Sequence, residues 1–83
     1  MSRADRLIEE LKACRGPYPY RDIVRILVSF GFEEETGGGG SGRKFYHPIL
    51  NRTFMLHEPH PGNEVHRYIV RSLRAFLEEL GLI

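Results

Sequence analysis

All four histidines and five of the ten arginines lie between residues 43 and 74, in the second half of the sequence. Histidine gives or takes a proton near neutral pH, and arginine and lysine hold phosphate groups. RNA can be cut without a metal ion if a base takes the 2′-hydroxyl proton, an acid protonates the leaving oxygen and cations hold the phosphate. Phosphodiester chemistry is therefore the first interpretation of these residues: His47, His57, His60, His66, Arg43, Lys44, Arg52, Arg67, Arg71 and Arg74.

The distribution of charge says more than its sum. The formal net charge is only +1, yet residues 41–74 hold six basic side chains against Glu58 and Glu64. The acids gather instead in Glu33-Glu34-Glu35 and in Glu78-Glu79. A local basic field attracts phosphate even when the total charge is near zero. An ordinary solvated face has the same composition, and charge alone does not separate the two interpretations.

Length and composition exclude several classes of protein. With 83 residues, 41% of them apolar, residues 1–83 are predicted to form a single small soluble domain without room for a cofactor cradle. Cys14 is the one cysteine, and the histidines lack cysteines or acids at zinc-ligand spacing, so neither an internal disulfide nor a metal site is expected. Neither a membrane span nor a signal sequence is apparent, which predicts a cytoplasmic protein.

The spacing of apolar residues predicts the elements that must position these groups. A short helix over 4–12 is followed by Gly16-Pro17, and a second helix begins near Tyr20 and is capped by Gly31. Strands over 43–46 and 53–57 form a hairpin, and residues 32–36 add an edge strand. A last helix is capped by Asn63 and ended by Gly81, with an apolar stripe made of Val65, Tyr68, Ile69, Leu73, Phe76, Leu77 and Leu80.

Period-two alternation then assigns the two faces of the hairpin. Phe45, Phe54 and Leu56 are predicted to face the helices. The outer face carries Gly42, Lys44, Tyr46, Met55 and His57. His57 is expected across the hairpin from Lys44 or Tyr46, and the hypothesis is that these three residues form the working face.

Several short motifs, taken in order, resemble the HicA family of bacterial toxins from about Tyr20 to Ile83. The motifs are Gly40-Ser41, Phe45, His47-Pro48, Pro59-His60-Pro61 and Gly81-Leu82. The resemblance implies an α+β fold, double-stranded-RNA-binding-like, with the order α-β-β-β-α and a three-stranded antiparallel sheet. Residues 20–83 are then the core, and residues 1–16 are a helical extension found in a subgroup. It also implies an endoribonuclease that cleaves mRNA and a HicB-type antitoxin that occludes its active site.

One position departs from the family pattern. The family usually has its catalytic histidine directly after Gly-Ser, and here that position is Gly42. Either the chemistry has moved elsewhere, or the chain kept RNA binding and lost cleavage, or the segment has been altered, since GGGGS is also typical of an engineered linker. Within these alternatives the candidate catalytic residues are His57, Lys44, Tyr46 and His60, and the candidate RNA-binding residues are Ser41, Arg43, Lys44, His47 and Arg52.

Each candidate also has a plain structural interpretation. Exposed histidines on a small sheet are more often tolerated surface residues than catalysts, and tyrosines are more often packing residues than base platforms. The glycine run 37–40 is as well explained by a disordered loop as by a phosphate cradle. Two functions therefore remain: a HicA-like endoribonuclease, or a non-catalytic RNA-binding or protein-interaction module.

Overall fold

The computed structural model describes residues 3–36, 42–59 and 62–83. The predicted α+β class and the order of its main elements are confirmed. Two short strands that were not predicted are present in addition. The elements are α1 (Arg3–Ala13), β1 (Tyr18–Pro19), α2 (Tyr20–Ser29), β2 (Glu33–Thr36), β3 (Gly42–His47), β4 (Arg52–His57), β5 (Glu64–Val65) and α3 (Arg67–Glu79). No helix in the described ranges is both long enough and apolar enough to cross a membrane.

Helices α2 and α3 end in the same way, with a glycine just past the last turn. Gly31 has φ 101°, its N–H bonds to the Val28 carbonyl, and the Phe32 N–H bonds to the Leu27 carbonyl. These two bonds form a Schellman motif, which satisfies carbonyls that the helix end leaves unpaired. Gly81 closes α3 by the equivalent pair of bonds. Both predicted glycine caps are therefore confirmed.

Strands β2, β3 and β4 form an antiparallel sheet in that order, with β3 in the middle. The loop 48–51 joins β3 to β4, and Asn51 takes the left-handed conformation with φ 54°. Asn is one of the few residues that tolerate this conformation. The predicted hairpin and the glutamate-rich edge strand are confirmed. The loop between the hairpin strands, predicted to be loose, is a four-residue turn in which the Asn51 N–H donates to the His47 carbonyl at 2.8 Å.

The faces of the hairpin are also as predicted. Phe45 and Leu56 are buried and Phe54 packs against the core from the same face. The core lies between this face and the three helices, and α1 contributes Leu7 and Leu11 to it. Other buried apolar residues are Tyr18, Ile23, Ile26, Leu27, Phe32, Val65, Val70, Leu73 and Leu77.

Helix α3 differs from the prediction at its start. It begins at Arg67 and is capped by His66, whose Nδ1 accepts a hydrogen bond from the Tyr68 N–H at 3.2 Å; Asn63 is not the cap. Leu73 and Leu77 of the predicted stripe are buried, and Phe76 and Leu80 pack against the core, so the stripe is correct over the later turns of the helix. Val70 is buried, whereas Tyr68 and Ile69, predicted to lie in the apolar stripe, are exposed.

Residues 64–65 instead form β5, which pairs with β1 in a two-stranded antiparallel ribbon. Tyr18 lies opposite Val65 and Pro19 opposite Glu64, and the Tyr20 N–H donates to the Asn63 carbonyl at 2.8 Å. The ribbon joins the residues before α2 to those before α3. Strands of two residues have no periodicity to detect, so this element was missed from the sequence.

The hydroxyl of Tyr18 connects this ribbon to α1. It donates toward the Leu7 carbonyl and toward Glu10 Oε1, both at 3.3 Å. Burial, and then the nearby Glu10 carboxylate, raise the pKa of Tyr18. Since the folded chain holds this proton more tightly than the unfolded chain, the contribution to stability is complete below the ordinary tyrosine pKa and is lost as the pH rises above it.

We therefore expect Tyr18→Phe to lower the free energy of unfolding by about 1 kcal/mol at pH 7. Between pH 9 and pH 11 the variant should lose less further stability than the unmodified chain, because it has no such hydroxyl to ionise. Urea unfolding at several pH values measures both effects, with the exposed Tyr68→Phe as control. An equal loss of stability with pH in Tyr18→Phe and the unmodified chain would contradict the assignment.

Candidate functional site

The outer face of the sheet is not covered by any described helix. Its exposed side chains include Lys44 on β3 and Met55 and His57 on β4, and Met55 is 54% exposed. The His57 imidazole, the Lys44 ammonium and the apolar side chain of Met55 thus share one exposed surface, the face that the sequence predicted for them. We call the set Gly42, Lys44, Met55 and His57 the sheet-face site.

Gly42 and His57 lie directly opposite each other in this site. A Cβ built on Gly42 would lie 3.7 Å from His57 Cε1, in ordinary van der Waals contact. This corrects the expected pairing, because Lys44 lies opposite Met55 and Tyr46 opposite Thr53. The His57 imidazole therefore lies beside Gly42 on the outer face of the sheet.

The predicted group of His57, Lys44 and Tyr46 is only partly assembled. Lys44 is the diagonal neighbour of His57, about 7–8 Å away between backbones and within reach of a long side chain. Tyr46 is four residues from Gly42 along the strand, which at about 3.3 Å per residue puts it roughly 13 Å from the imidazole. Its hydroxyl donates to Asn51 Oδ1 at 3.0 Å. Tyr46 thus belongs to the turn end of the hairpin, away from His57.

Arg43, predicted to bind RNA, lies on the inner face of β3 and is paired with acids. Its guanidinium is 3.5 Å from Glu34 Oε2 and 3.3 Å from Glu58 Oε1, and its side chain is only 25% exposed. Tyr20 belongs to the same charged group: burial, and then Glu34 and Glu58, raise the pKa of its hydroxyl. Arg43 therefore balances carboxylates at the edge of the core and does not present its charge on the sheet-face site.

Arg52 is engaged in a similar way at the other end of the hairpin. Its guanidinium is 3.3 Å from Glu79 Oε2 and lies 5.4 Å from the centroid of Phe76. Of the predicted RNA-binding residues that the structure describes, Lys44 is the one that projects from the outer face. Ser41 and the candidate catalyst His60 lie outside the described residues, as does the glycine run 37–40.

His47, also predicted to contact RNA, is a buried residue with 7% exposure. Its Nε2 donates to the Phe30 carbonyl at 2.8 Å, and its Nδ1 accepts from the Leu50 N–H at 3.1 Å. The ring also packs edge-on against Phe32, with centroids 5.0 Å apart. With both nitrogens bonded to backbone, His47 holds the fold together and is not available to a ligand.

A metal site finds no support in the described ranges. His66 caps α3, His47 is buried, and no group of three or more histidine, cysteine or acidic residues there is arranged to hold an ion. The chemistry that the described sheet-face site can offer is proton transfer by His57 and charge stabilisation by Lys44.

Comparison with known proteins gives one match. The family model described as the HicA toxin of bacterial toxin–antitoxin systems matches residues 20–82. That range begins at the first residue of α2 and includes α2, the three-stranded sheet, β5 and α3. Helix α1 and strand β1 lie outside it. Neither the curated proteins nor the solved structures gave a match.

We expect the two hairpin histidines to behave differently on substitution. His47→Ala should lower the free energy of unfolding by about 2–4 kcal/mol, because it leaves a cavity and two partly buried backbone groups, the Phe30 carbonyl and the Leu50 N–H, without partners. His57→Ala should change it by less than about 0.5 kcal/mol, because the residue is exposed. Urea unfolding at pH 7 checks both; equal stability of His47→Ala and the unmodified chain would contradict the structural role.

Proposed function

Because the chain belongs to the HicA family of bacterial toxins, we propose that it is the toxin of a toxin–antitoxin pair that binds and cleaves mRNA without a metal ion. Its antitoxin in this proposal is a HicB-type protein, and the place of action is the cytoplasm, where mRNA is found. Residues 20–83 act as the toxin core and residues 1–16 as an extension. Without the two-residue strands β1 and β5, the elements that follow α1 have the order α-β-β-β-α, which fits the RNA-binding fold implied by the resemblance.

One observation carries the proposal: His57 lies opposite Gly42 on the paired strand. The missing imidazole of β3 is thus matched by an imidazole from β4, within 3.7 Å of where the first carbon of a side chain at residue 42 would lie. Two residues that face each other across antiparallel strands reach the same space above the sheet. A histidine on either strand can therefore serve a phosphodiester bound at this point.

The proposed reaction needs no group that the site does not offer. His57 accepts the proton of a ribose 2′-hydroxyl, and the 2′ oxygen attacks the neighbouring phosphorus. The bond from phosphorus to the 5′ oxygen breaks, and that oxygen takes a proton from the Lys44 ammonium or from water. The products are a 2′,3′-cyclic phosphate and a 5′-hydroxyl. Lys44 also stabilises the negative charge that builds on the phosphoryl oxygens.

The same face suits the proposed antitoxin. Met55 lies between Lys44 and the edge of the sheet and is 54% exposed, so a protein that covers it buries apolar area and at the same time blocks His57. A HicB-type partner bound here would exclude RNA by occupying the site. This explains how a protein partner could stop cleavage without changing the toxin's fold.

Gly42 supports a second candidate function, a module that binds RNA or a protein partner without cleaving. If His57 is only a surface residue, the described sheet-face site has no other imidazole to act as a base. RNA binding would then remain while the chemistry is lost at residue 42. The two candidates differ in strand scission alone, so one assay separates them.

We expect the unmodified chain to cut a long mRNA in the presence of EDTA, and His57→Ala to cut at least about 100-fold more slowly. Thr53→Ala is the matched control: it truncates another exposed side chain on the outer face of β4, outside the sheet-face site. Gel analysis of initial rates measures the difference, and the 2′,3′-cyclic ends identify the reaction.

The outcomes separate the two candidates. Cleavage by the unmodified chain and by Thr53→Ala, but not by His57→Ala, supports a catalytic role for the histidine at residue 57. If only Gly42→His cuts, the chain is the non-cleaving module. Equal rates for His57→Ala and the unmodified chain would falsify the role of His57.

Lys44→Gln should reduce the cleavage rate by about tenfold or more, because it removes the cation beside the phosphate. Arg6→Gln changes the net charge equally at an exposed position of α1 and should cut at the normal rate. Single-turnover rates with excess protein make the comparison independent of RNA binding. A loss of equal size in both variants would mean that overall charge, and not Lys44, is responsible.

A further inference from the structure

A second basic surface lies away from the sheet-face site, between α3 and the end of α1. A depression of about 620 Å³ is lined there by four arginines, one tyrosine and one acid. We call it the arginine groove: Arg15, Arg67, Tyr68, Arg71, Arg74 and Glu78. Its residues on α3 recur at helical spacing, so they form one continuous face of that helix. Arg15 comes from outside the range that matches the family.

The charge of this groove is not balanced within the described chain. Arg43 and Arg52 each have a carboxylate within 4 Å, but none of the four groove arginines has one among the described residues. Arg74 donates to the Cys14 carbonyl, and Arg15 to the carbonyls of Lys12 and Cys14. These bonds fix the direction of two guanidiniums without neutralising them, so the groove keeps a net positive field.

The start of α3 adds to this imbalance. The positive end of a helix dipole favours acidic side chains, yet the first turn of α3 has none and begins with Arg67. Cations placed there repel the helix end and each other. A bound anion would remove this cost, since it would face both the guanidiniums and the positive end of the helix.

An aromatic surface accompanies the charge. Tyr68 is 60% exposed, the Arg67 guanidinium lies 5.0 Å from its ring centroid, and the His66 ring lies 4.8 Å from it. The three planar groups form an exposed stack at the mouth of the groove. Such a stack gives a nucleic-acid base a flat surface on which to lie.

From these observations we propose that the arginine groove binds the backbone of single-stranded RNA, with a base stacked on Tyr68. Guanidinium forks match phosphate oxygens, and arginines spaced by one helical turn follow successive phosphates. An acidic protein segment would satisfy the arginines but would make no use of the aromatic stack. The inference rests on the proposed function for its choice of RNA.

The groove is placed so that it can deliver RNA to the sheet-face site. Helix α3 runs antiparallel to β4, because Arg52 at the start of β4 meets Glu79 at the end of α3, and Phe54 packs on Phe76. The His57 end of β4 and the Arg67 end of α3 therefore lie at the same end of the molecule. An RNA strand bound along the groove would leave it at the end of the molecule that carries His57, and would reach His57 by passing around the edge of the sheet, because α3 packs on the inner face.

The test uses a fluorescein-labelled 12-nucleotide 2′-O-methyl RNA, which cannot be cleaved because it has no free 2′-hydroxyl. Fluorescence anisotropy at several KCl concentrations gives the affinity for the full chain and its salt dependence. Arg67→Gln/Arg71→Gln removes two exposed groove arginines, and Arg3→Gln/Arg6→Gln removes the same charge from exposed positions of α1. Tyr68→Ala removes the stacking ring.

We expect the groove double variant to bind about tenfold more weakly at 0.1 M KCl, and its slope of log Kd against log [KCl] to fall by about 1.4. Tyr68→Ala should weaken binding by about fivefold or more with an unchanged slope. The control double variant should bind like the unmodified chain. Circular dichroism of each variant shows whether the fold is kept.

Three results would contradict RNA binding by the arginine groove. The first two are an equal loss of RNA affinity in the groove and control double variants, and no loss of RNA affinity in either. The third is binding of poly-glutamate as tight as that of the RNA, which would assign the groove to an acidic protein segment. Failure of the proposed function looks different: the chain would bind the probe through the groove but would leave unmodified mRNA uncut.

Discussion

The imidazole of His47 joins two parts of the fold that are far apart in the chain, and the remaining geometry depends on it. One nitrogen donates to the carbonyl of Phe30, the residue that caps the end of α2, and the other accepts a hydrogen bond from the N–H of Leu50 in the hairpin loop. The same contact explains Gly31: a side chain there would place its Cβ 3.0 Å from Nε2, in a backbone conformation that only glycine adopts easily. The helix end, the hairpin loop and the start of the edge strand are thereby fixed together, which holds the sheet at one angle to α2.

Elements with a repeating pattern were predictable from the sequence, and those set by single contacts were not. The periodic helices, the alternating hairpin strands and the two glycine caps gave the α+β fold and the correct faces. The register did not follow, because period-two alternation assigns a face but not a partner, and so His57 was expected opposite Lys44 or Tyr46. The β1–β5 ribbon and the His66 cap depend on contacts between distant segments, which composition does not reveal.

Which basic residues present their charge at the surface was also not predictable from the sequence. Counting basic residues over 41–74 predicted one cationic surface, but Arg43 and Arg52 lie on the inner face, where Glu34, Glu58 and Glu79 neutralise them. A sign of the arginine groove was present in the sequence as Arg67, Arg71 and Arg74, which share one helical face. The contribution of Arg15 was not visible, because only the packing of α1 against α3 brings it there.

The β1–β5 ribbon has a consequence for the order of folding. Its two strands enclose α2 and the whole three-stranded sheet, so pairing them closes a much longer loop than the hairpin, whose loop has four residues. Closing a longer loop costs more chain entropy, and contacts distant in sequence tend to form late. On a ribosome, β5 and α3 also emerge after the hairpin, because they follow it in the chain. The arginine groove and the cover of the sheet's inner face are therefore completed only after the hairpin with His57 has had time to form.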